Sequence, residues 1–294
     1  MFEVIKSDKN KFAIYKAIYS DLNRHFSFDW NDSLGNSKPD GDAYFIIDQE
    51  IIGGFALADN TISLPFLAPP FGNKEEYWQT VLRFAVKTSG QNELIIADVP
   101  EDEAAMLILK FGAKQKRLGR RMIRPTEQYE SNPGNGFYFD SIREEFLEKI
   151  ISVVYKAHST GFTSTVMKQN LDDIKEAVER RFRLFNETST IYMGSLVRNK
   201  INNEIAGVCL AGIYPDSPNS FATIHQVSVL PEYRRQGIAT AMLRRAINDA
   251  YPVSPAITLG VLVGNPAEIL YRNNGFIPGP AYSELSYRQI ILRA

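Results

Sequence analysis

A chain of 294 residues exceeds the usual single-domain size and predicts two domains, and its 44% hydrophobic residues supply enough material for two cores. A net charge of −1 offers no global field that would favour nucleic acid or an anionic membrane. The N-terminus Met1–Lys9 has no apolar signal core, and no run approaches the ~20 apolar residues that span a bilayer, so the expectation is a soluble, cytoplasmic protein, monomer or homodimer, with neither nucleic acid nor membrane as partner. The single cysteine, Cys209, excludes an internal disulfide and lies in an apolar run as a small core residue.

In chain order, Ile52–Ala58 is the first apolar run of note, followed by Pro69–Glu76, rich in turn residues and carboxylates, and by the helix-like Ala104–Ala113. Lys114, Lys116, Arg117, Arg120 and Arg121 form the densest basic run. Two readings of it stand: the solvated face of a terminal strand pair, or an attractor for an acidic substrate or a phosphate. Polar residues punctuated by Pro and Gly from Arg124 to Gly136 predict a linker, which divides the chain into a domain at 1–125, a linker at 126–135 and a domain at 136–294.

The second domain opens with a short strand at Phe137–Phe139. A helix follows over Glu144–Lys156 with apolar spacing at Phe146, Ile150, Val153 and Val154, then a second over Leu171–Phe185. Strands are predicted at Thr190–Arg198, Ile205–Ile213 and Thr223–Leu230. The last runs into Pro231, then Arg234, Arg235 and Gly237, then an Ala-rich apolar helix. A helix start carries unpaired N–H groups and about half a positive charge, and two arginines beside it make a phosphate or pyrophosphate the natural ligand. No Gly-Lys-Ser/Thr and no G-x-G-x-x-G spacing is present, so a nucleoside triphosphate or dinucleotide site is not indicated. Downstream come a buried-type strand at Ala256–Val263, the turn Gly264-Asn265-Pro266, a helix through Ala267, Leu270 and Tyr271 to Asn274-Gly275-Phe276, and two terminal strands at Tyr282–Arg288 and Gln289–Arg293.

Arg234-x-x-Gly237-x-Ala239 after a strand ending Val-x-Pro resembles the acetyl-CoA pyrophosphate loop of the GNAT superfamily of N-acetyltransferases. Ala267-x-x-Leu270-Tyr271-x-x-x-Gly275-Phe276 resembles the family's second signature. One position departs: Gly264 stands where the family has Asn, and Asn265 lies one residue late. The resemblance implies an α/β (α+β) fold, with a mixed, mostly antiparallel sheet that splays between its fourth and fifth strands to admit the CoA arm. The N-terminal half repeats parts of this pattern. Ile52–Ala58 parallels Ile205–Ala211, and Ala104-x-x-Leu107-Ile108-x-x-x-Gly112-Ala113 parallels the second signature, which predicts two tandem GNAT-like domains. Ile108 replaces the tyrosine and Glu75 and Glu76 replace the arginines, so the first copy is expected to be degenerate and non-catalytic.

The resemblance further implies acetyl-CoA as co-substrate, held by Val227, Ser228, Val229, Arg234, Arg235, Gln236, Gly237, Ile238, Ala239, Thr240, Asn265 and Tyr271, with no metal. Tyr271 is implied as general acid to the departing CoA thiolate, and a backbone N–H near Val227–Val229 polarises the thioester carbonyl. The strand Ala222–Val229 contains no acid. His225 resembles the nearer histidine of the His-x-His-x-Leu-x-Val strand of arylalkylamine N-acetyltransferases, with Thr223 at the farther one, and is the candidate base; a structural hydrogen-bonded histidine is the alternative. His158 and Phe162 would face the acceptor, although a histidine at a helix end also simply complements the dipole. His25 and His158 lack the partner spacing of a metal site. The expectation is an N-acetyltransferase that transfers acetyl directly to a primary amine of a small molecule or peptide, with Cys209 no nucleophile. A non-catalytic acyl-CoA-binding module and transfer of a longer acyl group are the alternatives.

Overall fold

The computed structural model describes residues 2–19, 30–69, 72–166, 169–187, 191–213 and 221–288. His25, the loop Pro215–Ser220 and the expected strand Gln289–Arg293 lie outside the described residues. The chain forms two compact units, Met1–Arg120 with Gly279–Ala294, and Arg121–Pro278.

In the first unit, β1 (Glu3–Ser7), β2 (Asp42–Asp48), β3 (Glu50–Ala58) and β4 (Thr61–Leu67) form an antiparallel run. Helix α1 (Lys9–Ile18) starts at Asp8, whose carboxylate accepts from Asn10 N and Lys11 N at 2.9 Å each, and α2 spans Trp30–Asn36. Strand β4 turns parallel to β5 (Glu93–Pro100), but only Thr61 and Ile62 pair, with Ile95 and Ile96. Between them runs α3 (Lys74–Ser89); after β5 comes α4 (Glu101–Phe111), ended by Gly112 in the left-handed conformation. Their apolar faces, with Tyr77, Trp78, Leu82 and Leu107, fill a core with Phe55, Ile62, Leu94 and Ile96. The strand beside β5 comes from the far end of the chain: β13 (Ile277–Arg288) pairs antiparallel from Tyr282↔Pro100 to Arg288↔Glu93. This corrects the expected placement of Tyr282–Arg288 in the second domain. Leu285 is fully buried in the first core, and Arg288 closes the ladder on Glu93 at 3.0 Å. The basic run lies on one strand, β6 (Lys114–Pro125), rather than on a strand pair.

The second unit centres on β10 (Ile205–Ile213), all nine residues of which are buried. Its sheet runs β12-β11-β10-β9-β7, from Ala256–Leu262 and Ala222–Val229 through β10 to Ser195–Asn199 and Phe137–Asp140, with the short β8 (Ile191–Tyr192) also on β10. One face is covered by α5 (Leu147–His158) and α7 (Leu171–Glu187), which pack Ile150, Val154, Ile174 and Val178 on Leu196, Val208 and Leu210. The other is covered by α8 (Ile238–Ala250), through Ile238, Met242, Leu243 and Ile247. Helix and strand approach closely at Gly207, where a β-carbon would lie 3.0 Å from side-chain atoms of both Ile238 and Met242. Short α6 (Phe162–Val166) follows α5, and α9 (Ala267–Asn273) follows β12.

The expected linker is not a free connection. Thr126 N donates to Pro255 O at 3.0 Å, Tyr129 N to Asn248 Oδ1 at 3.2 Å, and the buried Arg124 guanidinium donates to the Tyr129 hydroxyl at 3.0 Å and to the Asn274 carbonyl, so this segment is part of the second unit. A polar, Pro-rich composition marks irregular backbone, and does not say whether that backbone docks.

Candidate active site

Strands β11 and β12 are parallel and pair only over Ala222–Ile224 with Ile257–Leu259, then part. At the point of parting His225 is an extra residue: Leu210 faces Gln226 and Ala211 faces Ile224, so His225 is a β-bulge. Beyond it, Gln226 to Val229 still pair with β10 along one edge, which leaves the other edge turned to the opening. The cleft so formed has a volume of about 730 Å³ and is lined by His158, Phe162, His225, Val227, Ser228, Val229, Arg234, Arg235, Ala239, Asn265 and Tyr271 of the expected site residues. Gln236, Gly237, Ile238 and Thr240 are not among its lining residues; Ile238 in particular packs its side chain in the core at 1% exposure, which leaves it only a backbone N–H to offer.

The loop in which the sequence suggests a phosphate site follows β11. A 3₁₀ turn at Pro231–Tyr233 leads through Arg234 to Arg235 and Gly237, which have φ of 61° and 79°. Gly237 at the N-cap brings no side-chain cap, and the first turn of α8 holds no acidic residue, so the amides that an ordinary cap would occupy stay open beside the exposed Arg235.

Tyr271 on α9 packs edge-on to Phe276 with ring centroids 6.1 Å apart. Burial pushes its hydroxyl up to about 12, with the neighbouring Cys209 adding to the shift, so it stays a protonated O–H donor at neutral pH. Burial also pushes the fully buried Cys209 thiol up to about 12, which removes the thiolate that a nucleophile needs. Asn265 accepts from Ala267 N at 2.9 Å through its side-chain oxygen, just before α9, and lines the cleft. Gly264, at the family's Asn position, has φ 83°, a conformation that suits glycine.

On the acceptor side, the His158 ring bridges two glutamines. Its Nδ1 lies 3.0 Å from Gln169 Oε1 and its Nε2 2.9 Å from Gln226 Nε2, while Gln226 Nε2 also donates to Ser228 Oγ at 2.8 Å. A carbonyl oxygen accepts at one nitrogen and an amide N–H donates at the other, which fits a neutral ring protonated at Nδ1. Burial lowers the His158 pKa, against the raising effect of the Gln169 bond. His225 is pushed down to about 4 by burial first, then by the positive charges of Arg181 and Arg121. Gln226 and Gln169 are the residues that sequence reasoning missed. Gln226 stood one place from His225 in the same strand, but Gln169 carries no pattern that connects it to the site.

An α/β unit whose parallel strands part over an uncapped helix start, present in tandem, defines the protein class: an acyltransferase-type fold. Residues 152–276, which lie within the second unit, match the acetyltransferase (GNAT) family. The fold is shared with a GCN5-related N-acetyltransferase from Sphaerobacter thermophilus, at 15% identity and a TM-score of 0.68 over 98% of this chain and 95% of that one. It is also shared with a tandem GNAT protein from the clavulanic acid biosynthesis pathway, at 12% identity and a TM-score of 0.58 over 98% of each chain. A glucosamine N-acetyltransferase region of a fungal multi-domain β-N-acetylglucosaminidase has 13% identity and a TM-score of 0.63 over 98% of this chain and 38% of that one. No curated protein matches in sequence. Among the described residues no helix is long and apolar enough to cross a membrane.

Proposed function

We propose that the second unit is an acetyl-CoA-dependent N-acetyltransferase that moves the acetyl group directly to a primary amine of a small molecule or peptide. One observation carries this reading: Arg235 and Ala239 at the uncapped helix start, Val227–Val229 of β11 and Tyr271 all line one cleft of about 730 Å³. The pyrophosphate lies on the amides of Gln236–Thr240 beside Arg235, and the pantetheine arm enters between β11 and β12 past Asn265. A backbone N–H of Val227–Val229 then meets the thioester oxygen where negative charge develops.

The positive surroundings of His225 oppose an ammonium ion, so the acceptor sheds its proton to solvent on entry and attacks as the neutral amine. The nitrogen–carbon bond forms and the carbonyl electrons move to oxygen. The nitrogen's surplus proton leaves through water to solvent, with His225 as a relay that does not retain it, because its surroundings keep the ring neutral. As the tetrahedral intermediate collapses, the carbon–sulfur bond breaks and Tyr271 donates its proton to the CoA sulfur, leaving amide and free thiol. Cys209, held as a thiol, takes no part. The first unit contributes no second acyl-CoA site.

Calorimetric titration of acetyl-CoA on the full chain, followed on the same sample by thiol release with pooled primary amines, tests this reading. One site per chain and amine-dependent thiol release are expected. Absence of acetyl-CoA binding overturns the reading, and binding without thiol release favours the non-catalytic acyl-CoA module.

A further inference from the structure

The guanidinium of Arg234 is committed away from the amides of the anion loop. Its Nε donates to the Val229 carbonyl at 3.2 Å, and Nη2 donates to the Ala157 carbonyl at 2.8 Å and to the Thr160 hydroxyl at 3.0 Å. The last two acceptors belong to the end of α5 and to the corner that leads into α6. A helix end has carbonyls without intrahelical partners and a partial negative charge, so a cation with several fixed donors is well matched to it. Gly161 follows with φ 81°; a β-carbon there would have Arg234 Nη1 as its nearest neighbour, at 3.8 Å. Phe162 comes next, its ring 3.9 Å from where a β-carbon of residue 264 would stand. The corner therefore crosses the cleft from the anion loop to the turn after β12, and carries His158, Thr160 and Phe162 with it. Arg235, the next residue, lines the same cleft, is exposed, and makes no hydrogen bond or ion pair among the described residues.

We propose that the two arginines divide the work: Arg235 with the loop amides holds the phosphates, and Arg234 is a positioning residue that fixes the α5–α6 corner, and with it His158 and Phe162, against the acceptor side of the cleft. The proposal rests on the acyltransferase reading for what the corner is positioned to do. Its geometric core, the tie between Arg234 and the corner, stands apart from that reading.

Amide hydrogen exchange of residues 157–166 in the unliganded full chain, together with calorimetry of acetyl-CoA, tests the division. Arg234→Ala is expected to speed exchange in that segment at least tenfold, and to change the acetyl-CoA Kd by less than threefold. Arg235→Ala is expected to do the reverse, weakening acetyl-CoA at least tenfold with exchange in 157–166 unchanged. Arg234→Lys is not expected to restore slow exchange, because an ammonium cannot reproduce three donors in a fixed plane. Should Arg234→Ala fold poorly, Thr160→Val removes one acceptor and shows the same split at smaller amplitude. Exchange in 157–166 that is unchanged by Arg234→Ala overturns the proposal, as does a loss of acetyl-CoA affinity equal to that of Arg235→Ala. Failure of the wild-type chain to bind acetyl-CoA overturns the acyltransferase reading instead, while the exchange data still decide whether Arg234 holds the corner.

Discussion

The start of α3 in the first unit and the start of α8 in the second occupy the same place in the fold, after the first strand of a parallel pair that parts within a few residues, and they are finished in opposite ways. At α3 the Asn73 side chain accepts from Glu76 N at 3.0 Å, and Glu75 and Glu76 sit in the first turn. Lys74 pairs with Asp102 at 2.6 Å and Glu103 at 3.4 Å on α4, and the buried Trp78 donates to Glu103 at 2.8 Å. The amides are capped, the dipole is answered by carboxylates, and the two helix starts are tied to each other. At α8 there is a glycine cap, no acid and an exposed Arg235. The acceptor sides differ too. In the first unit the buried Lys16 of α1 donates to the Pro65 carbonyl at 2.9 Å, within the bulge of β4, whereas the corresponding bulge of the second unit presents His225 to an open cleft. One backbone plan thus yields a helix start capped by side chains in the first unit and an uncapped one in the second.

The sharpest way to test the contrast is to remove the group that has no counterpart in the first unit. Tyr271→Phe is expected to lower kcat by on the order of a hundredfold or more, the usual worth of a general acid, with acetyl-CoA affinity within threefold. Unchanged turnover would remove Tyr271 from the mechanism. A smaller effect should follow from carrying the first unit's chemistry into the second: Ala239→Glu, an acid in the first turn of α8, is expected to weaken acetyl-CoA about tenfold, or about 1.4 kcal/mol, in a titration. An affinity that does not move would show that the loop is not the phosphate site.

Titration separates the units as well, since both described histidines lie in the second. The folded-state pKa of His225, about 4, lies below its ordinary value of 6.5, so the stability this neutral burial contributes is present above pH 6.5 and is lost as pH falls toward 4. His225→Gln should therefore lose less Tm than the wild type between pH 7 and pH 4, with a residual slope from His158, which is shifted in the same direction. Equal slopes would show that His225 is solvated. The smallest effect belongs to the first unit's cap: Asn73→Ala is expected to cost about 1 kcal/mol of stability, seen as a Tm shift of about 2–4 °C, while acetyl-CoA titrates unchanged.

The sequence by itself determined whatever depends on neighbours a few residues apart. The strand ending at Leu230, the loop from Arg234 to Ala239, the α9 signature with Tyr271, and the N-terminal parallels at Ile52–Ala58 and Ala104–Ala113 are short-range patterns, and the structure places them on the elements expected. Only the tertiary structure decided the rest. Residues 282–288 have the alternation of a strand in any sheet; that they pair with β5 follows from an open strand edge and a vacancy for Leu285 in the first core. The bulge at His225 depends on the register of β10 against β11, and the bridge from Gln169 through His158 to Gln226 joins the segment before α7 to α5 and β11. Arg234 looks like a phosphate ligand in the linear chain, and its guanidinium donates to the Ala157 carbonyl at the end of a helix distant in sequence. Periodicity and capping are local and can be read from the chain, whereas strand pairing and the partners of a polar side chain are set by which unsatisfied groups the folded chain brings within about 3 Å of one another.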